Sequence, residues 1–452
     1  MGELEPLYTA EEMKAAEEGH DVEQLMERAG RAVAELVLSD FGGAPSITAV
    51  CGAGHNGGDT RIAARLLDEA GREVTIVDVQ PEDEAKELGT PDLVLDGIFG
   101  TGFSGEPRPG AARLVEQING LGARVVAVDV PSGVDASTGE VSGACIEAAA
   151  TVTFHGEKVG LAVAPGSLHS GRLAVADIGL ESRETRHTRV TTEIVRRIPR
   201  RSRGGNKYLS GSVLVVGGAP GMTGAVCLAA EAAFRADAGY VAVCAPKESL
   251  PVVEARLLEA VKRPLDEVFE AAERAGALAL GPGLGRADDR QKLVRRLLEE
   301  TDLPAVVDAD ALFAFEPVER SAPMVLTPHS GELARLLDVE SSWVDAHRLA
   351  AVGRAVERFA CVVLLKGSET IIAAPGARTL ISAGTPRLAT AGTGDVLTGV
   401  VGAFLSKGME PQLAAAAAAG VHAEAALAAP HESGLIASDV IAGLPHVLDA
   451  AL

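Results

Sequence analysis

No C-x-x-C pair occurs in this chain, and its 5 cysteines (Cys51, Cys145, Cys227, Cys244, Cys361) stand singly, mostly inside apolar runs. The odd count and scattered spacing exclude a disulfide framework or a cysteine-rich metal site, so buried reduced thiols are expected. No charge-free apolar run of about 20 residues appears, which removes a membrane-spanning helix. The opening MGELEPLYTAEEMKAAEEGH is acidic and lacks a basic leader followed by an apolar core, so a cytoplasmic location is expected. Positive charge is also short: 41 Lys and Arg face 63 Asp and Glu, a net charge of −22. A surface of that sign repels phosphate backbones and anionic lipid heads, so neither nucleic acid nor membrane is an expected partner. A saline cytoplasm and a GC-rich genome explain the acidity equally well.

What the chain does have is length and alternation. Its 452 residues exceed the usual size of one core, so two domains are expected. In the first half the runs SITAVC, EVTIVDV, DLVLDGIFG, RVVAVDVPSG and ATVTFHG read as strands. Between them, RIAARLLDEAG and AARLVEQINGLG read as helices ending in glycine. Two further helices are expected ahead of the first strand, at Ala10–Glu18 and Val22–Leu38. Apolar runs joined by helices indicate a mostly parallel sheet covered on both faces. The pattern lapses over GLESRETRHTRVTTEIVRRIPRRSRGGN, and a second series follows: SVLVVGG, YVAVCAP, ALALGPGLG, PAVVDAD, PMVLTPHSGE and CVVLLKGS. A polar, Arg-rich interval of this kind suits a connection, so domains are expected over residues 1–190 and 200–452, with a seam near 181–205. The halves share no motif, so duplication is unsupported, and one large α/β domain is the alternative.

Residues 52–60, GAGHNGGDT, join a strand to a helix. Gly52, Gly54 and Gly57 fit G-x-G-x-x-G, and Asp78 stands where a dinucleotide fold keeps its ribose-binding carboxylate. The glycines allow close approach of backbone to a phosphate, and a helix start favours an anion. Alone the spacing is weak, and Asn56 and Asp59 inside the turn are foreign to a dinucleotide site. Three more clusters follow strand-like runs: Asp96 with the glycine-rich loop to Glu106, Asp129 through Asp135, and the stretch from Lys158 to Asp177-Ile178-Gly179. One Asp at a strand end is ordinarily a turn or helix cap. Two beside an Asn-bearing loop point to a site.

Together QLMERAGRAVA (24–34), GAGHNGGD, VLDGIFGTGFSGEP and VDVPSGVDASTG (128–139) resemble the N-terminal domain of the NAD(P)H-hydrate repair enzymes, over most of residues 8–180. The resemblance implies a Rossmann-like domain that epimerises hydrated NADH or NADPH at C6 of the nicotinamide ring. Such a hydrate is a hemiaminal, so its hydroxyl carbon loses stereochemistry by ring opening or by loss of the hydroxyl. Either route needs an acid or base at that hydroxyl, and Asp129 is the candidate. By the same resemblance Asn56, Asp96 and Ser132 hold a potassium ion. His55, Asn56, Gly57, Gly58 and Asp59 lie near the substrate, and Gly100, Thr101, Gly102, Phe103, Ser104, Gly105 and Glu106 wrap it. Two positions depart from the family's Asn-Asn-Gly-Gly-Asp-Gly: His55 and Thr60. His55 keeps hydrogen-bonding capacity, and the Thr60 hydroxyl is expected to reach a phosphate or cap the helix.

In the second half no G-x-x-x-x-G-K-[ST] occurs, which excludes a Walker phosphate site. ATAGTGDVLTGVVGAFL (389–405) instead sends small residues into a helix whose first turn holds Asp395, so several N–H groups can converge on an anion. This resembles the anion hole of ribokinase-like folds. The segments NKYLSGSVLVVGGAPGMTGAVCLAAEAAFRADAG, LALGPGLG, VVDADAL, TPHSGELARLL and LLKGSET narrow the resemblance to the NAD(P)H-hydrate dehydratase domain, over residues 200–445. It implies that Asp395 is the base, that Lys366, Gly367, Ser368, Glu369, Thr370, Gly392, Thr393 and Gly394 bind ADP or ATP with magnesium, ADP favoured, and that Ala225, Gly285 and His329 contact the hydrate. A homo-oligomer is also implied. Hydroxide is a poor leaving group; phosphorylating it first makes dehydration feasible. The competing reading is a small-molecule kinase with a non-catalytic N-terminal binding module. A dehydrogenase comes last, for want of a second substrate domain.

Overall fold

The computed structural model describes residues 2–80, 86–201 and 210–450. Asn206–Leu209 of the NKYLSG segment lie outside them. The chain forms two compact units, one over Pro6–His187 and one over Thr188–Leu452 together with the leading residues through Glu5. The division falls within the polar Arg-rich interval. Among the described residues no helix is long and apolar enough to cross a membrane. All five cysteines are buried and unbridged.

After an N-terminal strand β1 (Leu4–Leu7), the first unit opens with helices α1 (Ala10–Glu17) and α2 (Val22–Asp40). Each starts on a side-chain cap: Thr9 in a reciprocal pair with Glu12, and Asp21 accepting from the N–H groups of Glu23 and Gln24. Six strands follow: β2 (Ser46–Cys51), β3 (Glu73–Asp78), β4 (Leu93–Gly97), β5 (Arg124–Val128), β6 (Ala150–Phe154) and β7 (Arg172–Ala176). They form one parallel sheet in the order β3-β2-β4-β5-β6-β7. Helices α3 (His55–Glu69) and α4 (Pro109–Gly120) cross between strands. The direction of strand addition reverses between β2 and β4, and such a switch point opens a crevice at the strands' C-terminal ends.

The structure corrects three local expectations. Helix α3 begins at His55, so Asn56, Gly57, Gly58 and Asp59 belong to its first turns rather than to a loop. A Cβ on Gly57 would lie 1.9 Å from the Gly52 carbonyl oxygen, and one on Gly52 would lie 2.1 Å from that of Ile98. These glycines let backbone pack on backbone. Thr60 reaches no phosphate and caps nothing: it is fully buried against Gly97, and its hydroxyl donates to the Asn56 carbonyl at 2.7 Å. Asp78 does not stand alone either: its Oδ1 accepts two bonds from Arg61, at 2.6 and 3.0 Å.

The second unit is built on an eleven-stranded sheet. β8 (His187–Val190) is followed by β9 (Ser212–Val216), β10 (Tyr240–Ala245), β11 (Val261–Pro264), β12 (Ala277–Leu280), β13 (Ala305–Val307), β14 (Met324–Leu326), β15 (Val362–Leu365), β16 (Glu369–Ala373) and β17 (Thr379–Ala383). The order is β1-β8-β17-β16-β15-β14-β13-β12-β9-β10-β11. From β9 through β15 the pairings are parallel, with the reversal between β9 and β12. β16 and β17 pair antiparallel at their end. The helices Thr223–Arg235, Thr393–Ser406 and Pro411–Leu427 carry mostly Ala, Val and Gly and are buried nearly all round. Small side chains let their backbones approach closely: a Cβ on Gly399 would lie 2.1 Å from the Ala229 carbonyl oxygen.

Candidate active sites

At the switch point of the first unit lies a cavity of about 1010 Å³, lined by the start of α3, the loop from Ile98 to Glu106, and Glu17, Asp129 and Lys158. The loop is ordered by its own aromatics, since Phe99 and Phe103 stack with centroids 4.7 Å apart. The expected residues His55, Asn56, Asp59, Gly100, Thr101, Gly102, Phe103, Ser104, Glu106 and Asp129 all line the cavity, whereas Gly57 and Gly58 pack behind it.

Asp129 follows β5 with φ 67°, a left-handed conformation that Asp tolerates better than most residues. Its N–H donates to the Val152 carbonyl at 2.7 Å, which pins that geometry to β6. Oδ1 accepts from Lys158 Nζ at 2.7 Å and from Thr153 Oγ1 at 3.1 Å. Lys158 is only 1% exposed and also donates to the Phe154 carbonyl at 2.8 Å. Both contacts fall on Oδ1, so Oδ2 is the oxygen left to act on a bound molecule. Around this pair lie two further carboxyls. Burial, then Asp129 and Glu17, push Asp59 up to about 8. Burial and Asp129 also raise Glu17.

Beside the cavity, Asp96 at the end of β4 is fully buried and accepts from Ser132 N at 2.8 Å, Ser132 Oγ at 2.6 Å and Ile98 N at 3.3 Å. Burial outweighs these bonds and pushes its carboxyl up to about 6. Asn56 donates to the Phe99 carbonyl at 2.7 Å, and its Oδ1 is buried without a partner among the described residues. Ser132 Oγ accepts from Phe99 N at 2.9 Å. Asn56 and Ser132 thus meet at the Phe99 peptide, with Asp96 on Ser132 and one acceptor, Asn56 Oδ1, orphaned. That donor set fits a hard monovalent cation.

The second unit assembles its residues at the C-terminal ends of β12 to β15. Asp308, just past β13, is 1% exposed; it accepts from Lys366 Nζ at 2.7 Å and from Thr398 Oγ1 at 2.6 Å. Lys366 also lies 3.9 Å from Glu332. Gly392, with φ 90°, turns the chain into the helix Thr393–Ser406, and Gly394 faces Lys366, whose Nζ would be 3.4 Å from a Cβ there. Asp395 sits in the first turn, half-buried, and burial with the neighbouring Asp308 pushes it up to about 7 despite Lys366. Gly285 N donates to Asp310 Oδ2 at 3.0 Å, and Ala225 closes on Gly283 nearby.

Two expected residues are differently placed from a plain contact. His329 caps the helix Ser330–Leu337, its Nδ1 accepting from Gly331 and Glu332 N–H and its Nε2 lying 3.5 Å from Glu332 Oε1. The Glu369 carboxylate is taken up by a buried pair with Arg348 and by the Ser368 hydroxyl at 2.7 Å. From that segment Lys366 is the side chain that reaches the anion hole. Sequence reasoning gave no role to Lys158, Asp308, Asp310 or Glu332. The signal that singled out Asp129, an Asp ending an apolar run, stood equally at Asp308 in PAVVD.

Residues 213–444 match the NAD(P)H-hydrate dehydratase family, and residues 22–89 and 77–160 match the family described as YjeF-related protein N-terminus. The bifunctional NAD(P)H-hydrate repair enzyme of Moorella thermoacetica is 38% identical over 512 aligned positions, covering 99% of this chain and 95% of that one. The chain belongs to the bifunctional NAD(P)H-hydrate repair enzymes. It is therefore an enzyme with NAD(P)H-hydrate epimerase and dehydratase activities. The ADP/ATP-dependent NAD(P)H-hydrate dehydratase of Bacillus subtilis, crystallised with ATP and Mg²⁺, superimposes with a TM-score of 0.54 at 29% identity, over 58% of this chain and 98% of that one. A ribokinase-like superfamily protein from Enterococcus faecalis superimposes with a TM-score of 0.52 at 22% identity, over 60% and 98%, which supports the fold. The repair reading is favoured over the kinase with a passive N-terminal module.

Proposed function

We propose that the 1010 Å³ cavity is the epimerase site, with Asp129 as its acid/base group, and that Asp395 is the base of the dehydratase site. The observation that carries the first assignment is the Lys158–Asp129 pair: a buried ammonium fixes one oxygen of Asp129, leaving the other to take or return a proton at the C6 hydroxyl. In the second site Asp395 takes the proton from the ring hydroxyl as it attacks the nucleotide's terminal phosphoryl group. The first-turn amides at Gly392–Gly394 and Lys366, which lies beside Gly394, would stabilise the negative charge that collects on that group. The N1 lone pair then expels phosphate from C6, and loss of a proton from C5 to water restores the ring double bond.

ADP as the preferred donor and a homo-oligomer follow from the family resemblance. Asn56, Asp96 and Ser132 would hold potassium, whose charge would offset Asp96 and brace the loop at Phe99. Among the described residues no group of three or more His, Cys, Asp or Glu side chains is arranged to hold a metal ion, so magnesium would be carried on the nucleotide's phosphates.

The test supplies both hydrate epimers with ADP or ATP, magnesium and potassium and follows recovery of reduced-nicotinamide absorbance. Wild type should consume both epimers quickly and Asp395→Ala neither. Asp129→Ala should consume one quickly and the other only at the spontaneous epimerisation rate. Absorbance that never returns with either nucleotide would overturn the reading.

A further inference from the structure

We propose that Asp59 is the proton donor of the epimerase, working with Asp129 as the proton acceptor across the same cavity. This rests on the assignment of the cavity to hydrate epimerisation. Asp59 sits one turn into α3 on the cavity wall, and it is 8% exposed. Its Oδ1 is buried with no hydrogen-bond partner among the described residues. An ionised carboxylate left that way is strongly disfavoured, whereas a neutral carboxyl with a free O–H awaits an acceptor. The charges around it push the same way. From α1 comes Glu17, and from the end of β5 comes Asp129; only Lys158, after β6, opposes them, and its ammonium is already bound to Asp129. His55, Lys14, Glu11, Glu106 and Arg108 line the same cavity. Burial first, and these carboxylates second, hold Asp59 near 8.

Two carboxyls in different surroundings, one without a partner and one held by a lysine, supply a donor and an acceptor. The N1 lone pair of the hydrate expels the C6 hydroxyl as Asp59 transfers its proton to that oxygen, and the C6–O bond breaks to give water and a ring iminium. Water then adds to the opposite face of C6, and its proton passes to Asp129. Return of that proton to Asp59 across the cavity restores both groups, so the cycle needs no oxidant or other co-reactant.

The experiment omits nucleotide, so that dehydration is silent, and follows interconversion of the two epimers by chromatography after subtraction of the uncatalysed rate. Asp59→Asn keeps the shape and a hydrogen-bond donor but has no acidic proton. Its kcat should fall on the order of 10²- to 10³-fold with KM within about threefold. Wild type should lose rate as pH rises through about 8, and Asp59→Asn should lack that limb. A kcat within about fivefold of wild type, or a defect confined to KM, overturns the proposal. So does a wild-type rate that stays level from neutral pH to well above 8, a result that stands even if the variant fails to fold. If wild type interconverts nothing, the cavity assignment itself has failed; if Asp129→Asn is inactive while Asp59→Asn is not, only the Asp59 role has.

Discussion

In each site a lysine holds one carboxylate beside a second that it does not hold, and the sites differ in which of the two it holds. In the first unit Lys158 holds Asp129, the acid/base candidate, and leaves Asp59 unpaired and raised to about 8. In the second unit Lys366 holds Asp308, and the candidate base Asp395 is the one left unpaired and raised to about 7. The same kind of arrangement therefore yields a resting acid in one place and a near-neutral base in the other. Environment divides the roles, because an ion pair stabilises one carboxylate while burial and a like charge penalise its neighbour.

The largest break in this comparison is Asp395→Asn. Loss of a general base should lower dehydration on the order of 10³-fold while epimer interconversion stays within about twofold of wild type. A matching loss of interconversion would show that the sites do not work separately. Lys158→Met comes next: it strands Asp129 without its cation, so interconversion should fall about 10²-fold. Removing one partner of a buried pair destabilises by about 3–5 kcal/mol, so the unit's thermal midpoint should drop too. Adding Asp129→Asn should recover the midpoint and not the turnover; recovery of neither argues that Lys158 serves packing alone.

The pH dependences should run in opposite directions. Dehydration should rise about tenfold per pH unit below about 7, as Asp395 sheds its proton, and then level. Interconversion should fall above about 8. Stability follows the same groups. Folded Asp59 keeps a proton that the unfolded chain loses near the ordinary value of 3.8, so its contribution declines as pH rises from there to about 8. Calorimetry of Asp59→Asn against wild type across that range checks the sign. The smallest effects contrast two glycines of one fingerprint. Gly57→Ala meets the Gly52 carbonyl and should destabilise by about 1–3 kcal/mol in denaturant melts. Gly54→Ala, with nothing within 4 Å, should stay within about 0.5 kcal/mol.

The sequence by itself determined the two α/β series, the parallel strands from SITAVC to ATVTF, the helix at Val22, and the motifs that carry family membership. These are local or ordered along the chain: apolar runs of strand length, capping residues and glycine-marked ends act on their neighbours. It also named Asp129 and Asp395, since each sits at a strand end or helix start, where backbone geometry favours a site. Only the tertiary structure decided who pairs with whom. Lys158 stands 29 positions after Asp129, and Lys366 stands 58 after Asp308. No spacing rule reaches that far, because strand order rather than chain order sets those contacts. The Rossmann-type fingerprint misled on detail for the same reason: Asp78 is paired with Arg61 and Thr60 is buried by Gly97, partners that lie 17 and 37 positions away. Proton affinity depends on burial and on charges brought together by the fold, so the split between acid and base at each site could be read only there.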